Sequence, residues 1–135
     1  MSLGTVVAAL SALERISHAD VTPTSEVARA GRQDYVNHCA SCHGADATGN
    51  GPVAVALNVK PADLTRISAR RGGKFPFGEM AKFIDGRTRI GAHGTREMPV
   101  WGEVFQEHLT TDPLKEEIVR GRVSMILIYL LSIQK

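Results

Sequence analysis

The residues of this chain best suited to chemistry are two cysteines and a histidine in a C-x-x-C-H run, Cys39 to His43. Residues three apart on a helix face the same side. The thiols of Cys39 and Cys42 can therefore form thioethers with the two vinyl groups of one porphyrin. The adjoining His43 is then placed to ligate the iron through its imidazole. The spacing predicts one covalently attached haem c with His43 as the proximal ligand.

Other kinds of site also use cysteines at this spacing. A redox-active C-x-x-C pair usually lies beside a βαβ unit, and the sequence contains no strand-rich unit. A closed structural zinc site needs four ligands, so His38 or His93 would have to complete it, because the chain has no second C-x-x-C. A disulfide at this spacing would be a poor structural staple. The histidine directly after Cys42 favours haem attachment over all of these.

Length and composition indicate one soluble globular domain. The chain has 135 residues, of which 43% are hydrophobic and 22% charged, which is ordinary for a domain that buries its own core. The formal net charge of +2 would be offset by the propionates of a haem, so the charge gives no support for nucleic-acid or membrane-surface binding. Both cysteines belong to the motif, so no disulfide framework indicates the compartment.

The predicted domain spans residues 25–135 and follows an N-terminal segment, residues 1–24. In that segment the apolar run Leu3–Leu13 has the length of a signal-peptide core, but no Lys or Arg precedes it. A poor signal peptide, cleaved near Ala19, and an uncleaved extension both stay open. Neither this run nor Met125–Leu131 is long enough to cross a bilayer as a helix, so we expect no transmembrane segment.

Hydrophobic periodicity predicts three main helices. They span residues 25–42, 78–87 and 114–133, and the last follows a Thr-Asp-Pro start signal. A close helix contact is expected at Gly31, because a glycine inside a helix costs stability, and further close contacts are expected at Gly121 and Tyr129. The predicted apolar stripe of the last helix consists of Val119, Val123, Ile126, Leu127, Leu130 and Leu131.

The segment after the motif predicts a loop pressed against a flat ligand. Gly44, Gly49 and Gly51 allow unusual backbone dihedrals. Pro52 lacks an amide hydrogen but keeps its carbonyl. That carbonyl is a candidate acceptor for the Nδ1 proton of His43, a bond that would fix the orientation of the ring. The alternative is that Pro52 only rigidifies a turn.

A Met-Pro pair further along supplies a candidate ligand for the opposite face of the iron. The thioether of Met98 lies in an irregular stretch that the next proline rigidifies, although methionines more often fill gaps in cores. Met80, inside a predicted helix, and His93, better explained as a surface loop residue, are its competitors. Trp101 is a candidate packing wall or an indole donor to a propionate.

Between these motifs lies a basic, glycine-containing loop, Arg66–Lys74. It is either a solvated surface loop or a source of cations that pair with a haem propionate or an acidic redox partner. The aromatic residues that follow it are expected to line the core or the cofactor: Phe75, Phe77 and Phe83.

From about Gly31 to Ile133 the chain resembles monohaem class I c-type cytochromes. The segments that carry the resemblance occur in the same order: Gly31-x-x-x-Tyr35, Cys39-x-x-Cys42-His43-Gly44, Gly49-Asn50-Gly51-Pro52, Pro61-Ala62-Asp63-Leu64, Met98-Pro99-x-Trp101-Gly102 and Tyr129-Leu130. The resemblance implies an all-α fold, the class I cytochrome c fold, in which the N- and C-terminal helices cross and loops wrap around one covalent haem.

The resemblance also assigns roles to single residues. It implies thioethers at Cys39 and Cys42, iron ligation by His43 and Met98, and a hydrogen bond from His43 to the carbonyl of Pro52. It implies export, to the periplasm or an equivalent compartment, because the haem of this family is attached there.

The expected function is electron transfer between redox partner proteins, as a soluble carrier or as the cytochrome subunit of a redox complex. With both axial positions of the iron filled, no coordination site is left for a substrate, so we expect a carrier and not an enzyme. The alternative holds if Met98 is not bound. It is a five-coordinate haem c protein that binds or reduces NO, CO or peroxide, with His93 as the nearest acid or base.

Overall fold

The structure is a computed structural model, and it describes residues 23–87, 98–110 and 112–135. All regular elements in these ranges are helical, which confirms the predicted all-α fold. The α-helices are α1 (Pro23–His38), α2 (Ala40–His43), α3 (Phe77–Asp85), α4 (Trp101–Val104) and α5 (Asp112–Ser132), and short 3-10 helices span Ala54–Ala56, Leu64–Arg66 and Ala69–Arg71.

The core forms where α1 packs against α5. A Cβ atom added at Gly31 would lie within 3.0 Å of the carbonyl oxygen of Met125, so the two backbones touch at this point. One helical turn further along α1, the fully buried Tyr35 ring lies 5.2 Å from the ring of Tyr129. The close helix contact predicted at Gly31 is therefore confirmed.

The inner face of α5 follows the predicted stripe in all but its last member. Five of the six predicted side chains are buried, whereas Leu131 is 46% exposed. The close contact predicted at Gly121 is wrong, because no atom of the described residues outside the helix's own backbone lies within 4 Å of a Cβ added there. Gly121 is two residues from both Val119 and Val123, which turns it to the outer face of the helix.

The helices begin and end one or two residues from the predicted positions, and one predicted helix is interrupted. The helix expected over 25–42 is divided, since α1 ends at His38 and α2 starts at Ala40. The helix expected over 78–87 is α3, which ends at Asp85 because Gly86 adopts a positive φ of 71° and donates its N–H to the carbonyl of Lys82.

The sequence predicts no membrane-spanning helix, and the two apolar runs considered for one lie near the two ends of the chain. Among the described residues, no helix has the length and apolar character needed to cross a membrane. The signal-like run Leu3–Leu13 lies outside the described residues. The boundary between residues 1–24 and 25–135 stays a prediction.

Candidate haem-binding site

A mostly apolar cavity opens beside the end of α1. It collects side chains that lie far apart in the sequence, from the cysteine motif, from α3, from the stretch before α4 and from α5. Its lining includes Tyr35, Cys39, His43, Ala62, Leu64, Ile67, Met80, Phe83, Ile84, Met98, Ile126 and Leu130. An apolar, largely preformed cavity with few polar groups is typical of a cofactor site.

The two cysteines occupy one helical turn at the edge of this cavity. The N–H of Cys42 donates to the carbonyl of Cys39 at 3.1 Å. Cys39 is buried and lines the cavity, whereas Cys42 is half-buried and lies outside the cavity lining. Neither cysteine is in a disulfide.

The burial of Cys39 affects the protonation of its thiol. Burial is the main cause that raises the pKa of its thiol to about 12, and the carboxylate of Asp34 acts in the same direction. Redox-active and metal-binding cysteines act as thiolates with lowered pKa values. The surroundings of Cys39 therefore favour a neutral thiol held beside an apolar ligand.

The described residues offer no support for the zinc alternative. Within them, no group of three or more His, Cys, Asp or Glu side chains is arranged to hold a metal ion. Of the two histidines considered as further ligands, His38 has its Nε2 atom 3.1 Å from a terminal nitrogen of Arg122. His93 lies outside the described residues.

His43 lines the cavity with its ring held from behind. Its Nδ1 atom is 3.0 Å from the carbonyl oxygen of Ala62. A carbonyl only accepts, so Nδ1 carries the proton and Nε2 keeps the lone pair that a metal needs. Burial lowers the pKa of His43, and the bond to Ala62 opposes this only in part. The ring is thus prepared as a neutral ligand.

The acceptor predicted for this bond, the carbonyl of Pro52, is wrong. Pro52 lies on an exposed turn. The chain that reaches His43 is instead the segment around Ala62, which is tied to the loop after the motif by a bond from the N–H of Leu64 to the carbonyl of Ala47, at 2.8 Å.

A further contact that sequence reasoning missed is made by the hydroxyl of Tyr35. It donates to the carbonyl of Gly44 at 2.6 Å, inside the core. Gly44 directly follows His43 and has a positive φ of 84°. The hydroxyl thus holds the chain at the point where it leaves the motif, and it joins α1 to the side of the cavity that His43 lines.

The structure brings both candidate methionines to the cavity. Met98 and Met80 line it together with His43, Met98 from the stretch before α4 and Met80 from α3. Both side chains are partly buried and pack against the hydrophobic core. A thioether and an imidazole therefore line one cavity, while iron ligation by Met98 stays a prediction.

Trp101 begins α4 and lies outside the cavity lining. Its ring is 5.5 Å from the ring of His38 and 5.7 Å from the ring of Phe105. In this position it packs α4 against α1. A contact between Trp101 and the cofactor stays a prediction.

The mouth of the cavity carries charge. Arg70 and Arg71 of the basic loop contribute to its lining, as does Glu79 of α3. Arg71 makes a two-fold ion pair with Glu79, with N–O distances of 3.0 and 2.5 Å. Arg70 donates to the carbonyl of Asp63 at 2.8 Å. Both arginines are exposed, so they can meet anionic groups at the cavity edge.

The residues present fit a covalently held haem. A neutral imidazole with a free nitrogen, a buried thiol with a second thiol on the same turn, and apolar walls are the groups that such a cofactor requires. Together with the all-helical fold they define a c-type cytochrome domain.

The comparisons with known proteins assign the family. The family model described as cytochrome c oxidase, cbb3-type, subunit III matches residues 26–112, which is more than half of the chain. The chain belongs to this family of monohaem c-type cytochrome domains. Comparisons with curated proteins and with solved structures gave no match.

Family membership establishes the general activity. A domain of this kind carries a covalent haem c with iron, and its activity is haem-based electron transfer. Such domains act with redox partners and are typically exported.

Proposed function

We propose that this chain is a one-electron carrier whose haem c is attached through Cys39 and Cys42 and ligated by His43 and Met98. The observation that supports this most directly is that His43 and Met98 line the same cavity. His43 and Met98 are 55 positions apart in the sequence, so only the tertiary fold brings them together.

A haem c held in this way supplies one-electron exchange between ferric and ferrous iron. His43 and Met98 would hold the iron of such a haem, and the apolar walls of the cavity would exclude water from it. The bond from His43 to Ala62 keeps the imidazole in one tautomer and one orientation. A soft sulfur ligand and apolar walls favour the reduced state and raise the potential.

The basic loop supplies the counter-charges in this proposal. Arg70 and Arg71 contribute the positive charge of the cavity lining. Guanidinium groups pair with carboxylates through parallel hydrogen bonds. We therefore assign Arg70 to one propionate, whereas Arg71 would have to leave its ion pair with Glu79 to reach the other.

A surface beside the cysteine motif suits a redox partner. The N–H of Val53 donates to the carbonyl of Ser41 at 2.9 Å, which ties the following segment to α2. Four aliphatic side chains of that segment are exposed, with Val55 at 94%: Val53, Val55, Leu57 and Val59. An exposed apolar patch next to a cofactor is expected to form the small, transient interface of redox proteins.

The wider setting follows from the family. Its printed description names an oxidase subunit, which supports a role as the cytochrome subunit of a redox complex in the periplasm. A freely diffusing carrier would use the same site and the same surface.

The experiment that tests the proposal exchanges each methionine of the cavity for leucine. In Met98→Leu we expect the far-red charge-transfer band of the sulfur-ligated ferric haem to disappear, because leucine has no donor atom. The reduced protein should gain rapid CO binding. The potential should fall on the order of 0.1 V, within the roughly 0.8 V range over which axial ligands tune haem.

Met80→Leu is the matched control, since it removes a thioether from the same cavity. It should keep the band and the potential of the unmodified protein. If Met80→Leu loses the band while Met98→Leu keeps it, the ligand is Met80. If the unmodified protein lacks the band and its reduced form binds CO rapidly, the five-coordinate alternative is correct.

A further inference from the structure

An arginine with two carboxylate partners lies next to α4, outside the cavity. Arg87 donates from Nε and from a terminal nitrogen to the two oxygens of Asp85, at 2.7 Å each. The same guanidinium also donates to both carboxylate oxygens of Glu116, one of them at 3.2 Å. Asp85 ends α3 and Glu116 lies on α5, so the three side chains join these helices.

Two of the three side chains are largely shielded from water, whereas that of Glu116 is 50% exposed. The Arg87 side chain is 22% exposed and that of Asp85 is 23% exposed. The side-chain hydrogen bonds from Arg87 are the main cause that lowers the pKa of Asp85, and the positive charge of Arg87 adds to it. A planar guanidinium held by two carboxylates has little freedom to change its rotamer.

Gly102, in α4, rests directly on this rigid group. Gly102 is buried, and a Cβ atom added there would lie within 3.0 Å of Nε and Cδ of Arg87 and of a carboxylate oxygen of Asp85. Its φ angle is not positive, so the close approach, and not the backbone conformation, explains the glycine. The contact fixes the position of α4 relative to α3 and α5.

The position of α4 in turn bears on Met98. Only Pro99 and Val100 separate Met98 from the first residue of α4. The carbonyl of Val100 accepts from the N–H groups of Glu103 and Val104, at 3.0 and 3.2 Å. The connection is short and hydrogen-bonded into the helix, so a displacement of α4 is transmitted to Met98.

We propose that Arg87, held by Asp85 and Glu116 beneath Gly102, is a positioning residue that keeps the Met98 thioether at the cavity wall. This inference rests on the proposed function, because it assumes that Met98 is the ligand. The inference predicts that a substitution that disturbs the contact between Arg87 and Gly102 weakens the sulfur–iron bond, although the sulfur of Met98 is still present.

The test uses imidazole as a competitor for the sixth position of the ferric holoprotein. Imidazole binds only when Met98 leaves, so its apparent affinity reports how firmly the thioether is held. We expect Gly102→Ala and Arg87→Gln each to bind imidazole about tenfold more tightly than the unmodified protein, which corresponds to about 1.4 kcal/mol. Arg87→Lys, which keeps the charge but not the fork of donors, should lie between them and the unmodified protein.

The same substitutions made in the Met98→Leu variant distinguish an effect on the position of Met98 from an effect on overall stability. In Met98→Leu no thioether has to be displaced, so adding Gly102→Ala should leave the imidazole affinity unchanged there. Gly121→Ala is the control for a glycine-to-alanine exchange in a helix, because no described residue comes within 4 Å of a Cβ added at Gly121. It should leave the imidazole affinity unchanged as well. If Gly102→Ala does not fold, Arg87→Gln and Glu116→Gln give the answer by the same titration.

The two ways of failing are distinct. If Met98→Leu itself leaves imidazole binding unchanged, the ligand assignment fails, and the inference fails with it. If Met98→Leu raises the affinity but neither Gly102→Ala nor Arg87→Gln does so, the ligand assignment stands and the positioning role is refuted. A loss of unfolding free energy in these variants with unchanged imidazole affinity would also refute it.

Discussion

Tyr35 stabilises the site through one polar atom, and its contribution can be measured. The side chain is fully buried, and its hydroxyl donates to the carbonyl of Gly44 at 2.6 Å. That carbonyl also accepts from the N–H of Ala47 at 3.1 Å, so removing the hydroxyl does not leave it unpaired. Tyr35→Phe should therefore lower the free energy of unfolding of the holoprotein by about 1 kcal/mol.

Denaturant titration followed by haem absorbance is the measurement, and Tyr35→Leu is its companion. Leucine also removes the ring that packs on Tyr129, so it should cost roughly 2 kcal/mol more than phenylalanine. Burial raises the pKa of Tyr35 well above its usual range. The unfolded chain therefore loses this proton first as the pH rises past about 10, and stability falls there. Equal alkaline profiles for Tyr35→Phe and the unmodified protein would contradict this account.

At the scale of single residues, the sequence predicts those groups whose chemistry lies in the side chain. Cys39 and His43 are recognisable because thiols and imidazoles are uncommon and their spacing is restrictive. The sequence analysis predicts that the carbonyl of Pro52 accepts the Nδ1 proton of His43, whereas in the structure the carbonyl of Ala62 accepts it. Every residue has a carbonyl, so side-chain type carries no information about which carbonyl meets a ring nineteen positions away.

At the scale of elements, two glycines in long helices test how closely α1 and α5 pack. The backbone of Gly31 touches that of Met125 across the helix crossing, whereas the space around Gly121 is open. Alanine gains about 1 kcal/mol of helix propensity over glycine at either position. At Gly31 the added methyl group meets backbone that cannot rotate away, and overpacking of this kind costs about 1–3 kcal/mol.

Gly31→Ala should therefore lower the unfolding free energy, and Gly121→Ala should raise it by up to about 1 kcal/mol. Both values come from chemical denaturation of the holoprotein under one set of conditions. Stabilisation by both substitutions would mean that α1 and α5 are further apart than described. Destabilisation by Gly121→Ala would mean that the outer face of α5 is covered in solution.

The same glycines illustrate what helical periodicity can predict. The pattern gave helices close to α1, α3 and α5, because buried side chains recur at helical spacing whatever they pack against. It could not distinguish Gly31 from Gly121, since a glycine has the same local effect on a face that is packed as on one that is open. Whether a glycine is packed or open depends on the neighbouring helix, and the periodicity of one helix contains no information about its neighbour.

At the scale of the whole molecule, the cavity depends on contacts between elements that are distant in the sequence. Family resemblance predicted an all-α fold around one haem, and the described residues confirm the helical architecture. The rigid group of Arg87, Asp85 and Glu116 was not predicted, because charged residues at such separations are usually solvated and independent. Only the packed structure shows that α3, α4 and α5 meet there.

A second cluster between elements makes the stability of the molecule depend on pH. His38 of α1 lies edge-on to the ring of Phe105, at a centroid distance of 5.2 Å. Its Nε2 atom accepts from Arg122 of α5 at 3.1 Å, since a guanidinium only donates. Arg122 in turn donates to Asp34 at 2.7 Å. The neutral form of His38 is the one that fits.

Burial, followed by the positive charge of Arg122, lowers the pKa of His38, and Asp34 opposes this only in part. The unfolded chain therefore binds a proton at His38 at a higher pH than the folded protein does. The stabilisation that neutral His38 contributes to the folded protein is complete above the ordinary pKa value of 6.5. It declines as the pH falls below that value, and it stops declining below the folded pKa.

His38→Gln, whose amide oxygen can still accept from Arg122, removes the titrating group. Unfolding free energies of the holoprotein measured from pH 8 to pH 5 should thus fall less steeply in the variant and run parallel to those of the unmodified protein above pH 7. Curves that stay parallel down to pH 5 would show that the protonation of His38 does not differ between the folded and unfolded states.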